Sequence, residues 1–267
     1  MRPFSTVIIA VGLVATFAHS PANAQVADTA KPVRHVNDKF SNSFFDLHPE
    51  LTKAEFKEFA AELGSVLRFR QLGDSSTLGR GVFEISADYA RTSIDGSKGA
   101  WNNTMSHPAA DHSLGQSIAA PRVVARFGVS DRVDIGAWGT LSPHSNYGIV
   151  GIDSKIALMK QGPGRPISIA IRPSISSLVG PSELWAGSGS IDVSFSRSLG
   201  LVSPYVGFVT TGSLAVERSA DVDLKPATAS TAFSYAGISL NLRRLVLSGE
   251  VQIGRVTSYG IRVGTRF

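Results

Sequence analysis

The chain has no cysteine. Disulfides are therefore closed to it, and its stability must come from packing or from closure of its hydrogen bonds. Past the N-terminus it has no run of about 20 apolar residues, which excludes a membrane-spanning helix there. It has no block of Lys or Arg. The formal charge of +5 is mild for 267 residues, so nothing points to nucleic acid. From Gly81 onward it has no helix signal either. These absences leave one kind of membrane protein open. A barrel strand needs only about 9–11 residues and shows alternation in place of a solid apolar block.

The N-terminus reads as an address. Arg2 precedes the apolar stretch "VIIAVGLVATFA" (7–18), and Ala22-Asn23-Ala24 is an A-x-A cleavage site before Gln25. Residues 1–24 are thus expected to be a cleaved signal peptide. Losing Arg2 takes the charge from +5 to +4. Residues 25–50 show no sustained period and read as a periplasmic linker.

One helix follows. In "TKAE" Thr52 is an N-cap and Glu55 sits at N3, which makes a capping box, and Leu51 with Phe56 suits a hydrophobic staple. Phe56, Phe59, Ala60 and Leu63 share a face, and Gly64 is placed to end the helix. It is either a plug, a periplasmic lid, or a packing helix with no role of its own. "SVLRFRQLG" (65–73) reads equally as continued helix or short strand, so 51–80 is taken as an amphipathic helix and connector.

Residues 81–267 alternate with a period of two. Strand patterns fall at 82–92, 121–128, 132–140, 148–159, 166–178, 187–197, 203–212, 231–242, 244–254 and 257–267, with Gly, Ser and Pro between them. The two long connections, 93–120 and 213–230, fall at odd positions in the series, and the even connections are all short. That sorting fits short periplasmic turns and longer outer loops. The expected fold is all-β: an antiparallel transmembrane β-barrel of about ten strands with one short N-terminal helix.

The faces follow from energy. One face carries Val123, Ile135, Ile152, Ile169, Ile191 and Leu247, among others. The other carries Glu84, Asp88, Arg122, Arg126, Asp134, Asp153, Lys155, Arg172, Asp192, Glu250 and Arg262. Each such charge facing lipid near mid-membrane would cost about 2–4 kcal/mol, so these residues are expected to form a lumen network. Strand 231–242 is divided: Ile238, Leu240 and Leu242 favour one face as outer, Phe233 and Tyr235 the other.

The final strand, "SYGIRVGTRF", ends on an aromatic residue with Tyr259, Ile261 and Val263 on its face. It resembles the C-terminal signature of bacterial outer-membrane barrels. "RFGVSDRVDIGAWG" (126–139) is similar to a hairpin of that group with a G-[LV]-[ST]-D-R periplasmic turn, and "SPYVGFVTTG" (203–212) to another of its strands. The resemblance covers about residues 80–267. It implies insertion in the outer membrane, contact with its lipids, and recognition of Tyr259, Ile261, Val263 and Phe267 by the barrel-assembly machinery. Barrels of many functions share these motifs.

Chemistry is sparse. His107, Asp111 and His112 could ligate a metal but lack a rigid spacing such as H-E-x-x-H, so no metal and no cofactor is expected. Trp101 and Met105 in the same loop could touch a ligand or fold over the barrel mouth. "SPHSNYG" (142–148), with Asp153 beyond it, resembles in part the H-x-S-N motif of outer-membrane lipid A deacylases. His144 and Ser145 are adjacent, however, and would diverge on a strand, while Pro143 separates Ser142 from His144. The expectation is a barrel without enzymatic activity, structural or binding through its loops. The alternatives are a narrow channel for small solutes and a lipid hydrolase.

Overall fold

The computed structural model describes residues 44–106, 117–140 and 146–267. Residues 1–24, where a signal peptide is expected, most of the 25–50 stretch, and His107, Asp111, His112, Ser142, His144 and Ser145 lie outside the described residues.

Ten antiparallel strands close into a barrel. They are β1 (Phe83–Ser93), β2 (Ser117–Gly128), β3 (Val133–Thr140), β4 (Gly148–Met159), β5 (Ser168–Val179), β6 (Leu184–Ser196), β7 (Val202–Glu217), β8 (Ala227–Leu242), β9 (Leu245–Gly254) and β10 (Ser258–Arg266). Each pairs with its neighbour in sequence, and β10 pairs with β1 from Ser258↔Thr92 to Arg266↔Glu84. Closure leaves no open sheet edge, so every ladder group has a partner without water. The last residue takes part: the Phe267 amide donates to the Phe83 carbonyl at 2.8 Å.

Four connections share one end of the barrel: 129–132, 160–167, 197–201 and 243–244. This is the turn end. Connections 94–116, 141–147, 180–183, 218–226 and 255–257 share the other, the loop end. Lengths sort less cleanly than the sequence suggests, since 180–183 at the loop end is shorter than 160–167 at the turn end.

Alternation sets the faces. Val123, Ile135, Ile152, Ile191, Ile253 and Ile261 are exposed on the outer wall, and charge is turned inward. In β8 the divided vote resolves one way: Ile238, Leu240 and Leu242 face out, and Phe233 and Tyr235 face in. The inward aromatic residues have partners there: Arg68 lies 4.5 Å from the Phe233 ring, and the Tyr235 hydroxyl donates to Asp192 at 2.8 Å.

What fills it is the N-terminal segment. Helix α1 (Lys53–Leu67) begins with the expected capping box: Glu55 N donates to Thr52 Oγ1 at 3.3 Å, and Thr52 N to Glu55 Oε2 at 2.9 Å. The helix does not end at Gly64, as the sequence suggests, but runs to Leu67. The glycine serves approach to the wall, since a Cβ there would sit 2.6 Å from Ser213 Cβ. The packed helix carries the chain past the residue that would otherwise break it. The Ser213 hydroxyl in turn donates to the Ala60 carbonyl at 2.8 Å.

Helix α1 sits at the loop end. Glu58 meets Lys98 at 2.8 Å and Arg255 at 3.5 Å, and Trp101 donates to Glu62 at 2.5 Å. Just before the helix, Phe44–Phe45 pairs with Met105–Ser106, and the Leu47 amide donates to Glu183 at 2.9 Å. The described part of the 25–50 stretch therefore lies beside the long loops. The partners that hold it there come from distant loops. From Arg68 the chain descends through the lumen and joins β1 at the turn end, where Gly81 N donates to the Gly128 carbonyl at 2.8 Å.

Candidate functional site: the filled lumen

All of the charges expected to face inward are buried: Glu84, Asp88, Arg122, Arg126, Asp134, Asp153, Lys155, Arg172, Asp192, Glu250 and Arg262. Strand pairing brings them together. Asp153 accepts one hydrogen bond from Arg126 at 3.0 Å and is ion-paired with Arg126 at 2.9 Å and Arg172 at 3.4 Å. This cluster lies over Gly136, where a Cβ would fall 2.6 Å from Asp153 Oδ1. Arg262 grips Asp88 through two bonds of 2.8 and 2.9 Å and reaches Glu84 at 3.8 Å. Arg266, at the rim, closes on Glu84 at 2.8 Å. Paired guanidinium and carboxylate forks of this kind are the strong form of the interaction.

Lys155 and Asp134 answer to the segment inside, Glu250 reaches it through Gln252, and Asp192 is held by a wall residue. The Lys155 ammonium donates to the carbonyls of Asp74 at 3.2 Å and Ser76 at 2.7 Å. Asp134 accepts the Leu78 amide at 3.1 Å. Asp192 accepts the Tyr235 hydroxyl at 2.8 Å. Glu250 accepts from Gln252, which accepts from Arg68. The wall thus supplies both signs of charge to a descending chain whose backbone would otherwise be unpartnered.

Residues 68–78 are the part the sequence reading leaves open. Arg68 lies 4.5 Å from the Phe233 ring, and Arg70 donates to Thr92. Ser75 donates through its hydroxyl to Ser194 at 3.0 Å. Phe69 stands in the middle, with the guanidinium carbons of Arg122, Arg126 and Arg172 at 5.7, 5.5 and 5.3 Å from its ring centre. Arg122 also lies 5.2 Å over Trp138. Its Nε and Nη2 have no hydrogen-bond partner among the described residues, so ring faces take part of the stabilising role that carboxylates play elsewhere. The one sequence signal for this was "RFR" (68–70), two cations and an aromatic leaving an amphipathic helix with no local partner.

The mouth is closed by carbon. Phe59 meets Trp101 edge-on at 5.1 Å and Phe45 at 6.0 Å, and Phe45 meets Tyr147 at 4.8 Å. Trp101 and Met105 are buried against α1, so they fold over the mouth. Toward the turn end a polar cavity of about 20 Å³ remains between Leu72, Asp74, Glu84, Lys155, Asn241 and Arg262. That is room for about one water molecule. No group of His, Cys, Asp and Glu suited to a metal ion exists among the described residues. On the outer wall Tyr259, Ile261, Val263 and Phe267 are all exposed.

No protein-family model matches this chain, and no curated protein matches it. Solved structures do resemble it, and those neighbours are bacterial outer-membrane β-barrels. The attachment invasion locus protein Ail of Yersinia pestis aligns over 70% of this chain and 99% of its own at 12% identity and a TM-score of 0.33. An outer-membrane channel from Pseudomonas putida F1 aligns over 73% and 98% at 10% identity and 0.45. The N-terminal β-barrel domain of Pseudomonas aeruginosa OprF aligns over 71% and 99% at 13% identity and 0.33.

Proposed function

We propose that this chain is a bacterial outer-membrane barrel sealed by its own N-terminal segment, and that it acts as a structural or binding element through its loop end. The observation that carries this reading is the occupied lumen: residues 68–78 bond to the wall at successive levels, leaving a cavity of about 20 Å³ where they descend. The outward apolar wall supports membrane insertion, with the loops outside, the turns periplasmic and the exposed Phe267 face offered to the assembly machinery. A barrel of about eight strands has an interior just wide enough for side chains, and ten strands hold side chains plus one strand of chain. The reading includes no enzymatic step.

Purified full-length protein in planar bilayers should show no steady conductance. Large, stable, ion-selective steps from the intact chain would make it a channel instead. A channel in which 68–80 leaves the lumen is the second reading. It is favoured by one feature: several of the segment's contacts with the wall are side-chain hydrogen bonds, which can break without unzipping a strand.

A further inference from the structure

The exposed side-chain charges of the turn end are predominantly of one sign. Every turn carries at least one cation: Arg132, then Lys160 and Arg165, then Arg197, then Arg243 and Arg244, all exposed. Arg80, ahead of β1, fills the remaining sector between the last turn and the first. The exposed acid among the described residues at this end is Asp131, and it is engaged: its carboxylate accepts the Arg80 amide at 3.4 Å. No ion pair among the described residues involves Arg132, Arg165, Arg197, Arg243 or Arg244. The loop end is different. Lys53, Lys57 and Lys98 there stand among Glu50, Glu58, Asp95, Asp221 and Asp223, and Lys98 is paired. The basic rim is therefore local and not a reflection of the whole chain's charge.

The rim also has a defined depth. Leu199 and Leu201, 57% and 58% exposed, follow Arg197 in its turn, and the exposed Leu242 and Leu245 flank Arg243 and Arg244. These leucines continue the apolar wall, so the guanidiniums stand where hydrocarbon gives way to headgroups. Long basic side chains lie with their stems along such a boundary and their charge beyond it. Arginine dominates the set, and its planar fork matches the two free oxygens of a phosphodiester where lysine offers a point charge.

We propose that the turn-end rim binds the phosphodiester headgroups of anionic phospholipids in the leaflet it meets, a reading that rests on membrane insertion as proposed above. The barrel would collect an anionic annulus on that side and be held at a fixed depth by it.

The test uses full-length protein reconstituted in bilayers of phosphatidylcholine and phosphatidylglycerol, with spin-labelled forms of each lipid as probes. Wild type should select the labelled phosphatidylglycerol by about fivefold, the attraction of a single basic residue near a charged surface. The exposed triple variant Arg197→Gln/Arg243→Gln/Arg244→Gln removes three of the rim's cations and should show a clearly lower preference while keeping heat-modifiable mobility. Lys53→Gln/Lys57→Gln, at the other end, should keep the wild-type preference. Equal association of both lipids with wild type, or an unchanged preference in the folded triple variant, would overturn the proposal. Loss of preference in the loop-end variant instead would overturn it too. Absence of any immobilised lipid signal, with either lipid, would overturn membrane insertion itself and so identify that failure separately.

Discussion

Between Phe59 and Asp153 the filling of the lumen changes character. At the loop end, Phe45, Phe59, Trp101 and Met105 seal the barrel with apolar contact against one face of α1. Toward the turn end Asp153, Arg126, Arg172, Arg262 and Asp88 seal it with charge around an irregular chain. A helix satisfies its own backbone, so its surroundings can be carbon. Residues 68–78 have no such internal ladder, and a wall that meets them needs donors and acceptors. The two halves thus differ because the segment they enclose differs. They should also fail differently. The charged half ties wall strands to each other, as Arg126 of β2 to Asp153 of β4, whereas the apolar half ties wall and loops to a detachable helix.

The largest effect is expected in the charged half. Asp153→Ala leaves Arg126 and Arg172 buried beside each other without their shared carboxylate. Breaking a buried pair from one side costs about 3–5 kcal/mol, and this change breaks two. Urea unfolding in detergent micelles should show a fall in barrel stability of that size. A fall below about 1 kcal/mol, the range of an exposed pair, would mean that the network is solvated and the lumen wetter than proposed.

Next comes the apolar half. Phe59→Ala removes a fully buried ring at the centre of the mouth cluster. Large-to-small changes of this kind cost about 3–5 kcal/mol. The loss should be local: proteolysis and hydrogen exchange across 53–67 should accelerate, while heat-modifiable mobility of the barrel stays as in wild type. If the barrel unfolds as easily as in Asp153→Ala, the halves are one cooperative unit and the contrast drawn between them is wrong.

This contrast bears on what could be read in advance. The inward set from Glu84 to Arg262 was legible because lipid penalises every alternative register, a rule that acts on single strands. The β8 face was not, because Phe233 and Tyr235 suit lipid equally well until Arg68 and Asp192 are known to be opposite them. Residues 68–78 were illegible for the same reason on a larger scale. Their partners, Gln252, Thr92, Ser194 and Asp134, are spread over four strands, and no local period records them. Gly64 misled because a helix-ending glycine and a close-approach glycine are the same letter. The 142–145 stretch stays where the sequence left it, outside the described residues.

A smaller effect isolates the helix from the cluster it packs in. Thr52→Ala removes the side-chain acceptor of the Glu55 amide, a cap worth about 1 kcal/mol. Exchange at the first turn of α1 should rise by roughly fivefold, with no change at the Asp153 cluster. Equal exchange in both proteins would show that loop contacts, and not the cap, hold the helix start.

The smallest effect is a matter of pH. Glu55 accepts the Thr52 backbone amide, and hydrogen bonds from the Thr52 hydroxyl and the Asn103 side chain add to it, so its carboxyl is held below its ordinary value against a slight opposing effect of burial. A carboxyl depressed in the folded state stabilises that state above its unfolded value, and the contribution is lost as pH falls through the folded one. Protection of the first turn of α1 should therefore be flat from neutral pH down to about 5 and weaken only below the ordinary glutamate value of about 4.3. The group is largely exposed, so water and salt screen it and the change should be smaller than that of Thr52→Ala. Glu55→Gln keeps an acceptor and removes the titration. Its protection should be independent of pH across the same window, and a profile that falls in parallel with wild type would assign the acid sensitivity to some other group at the mouth.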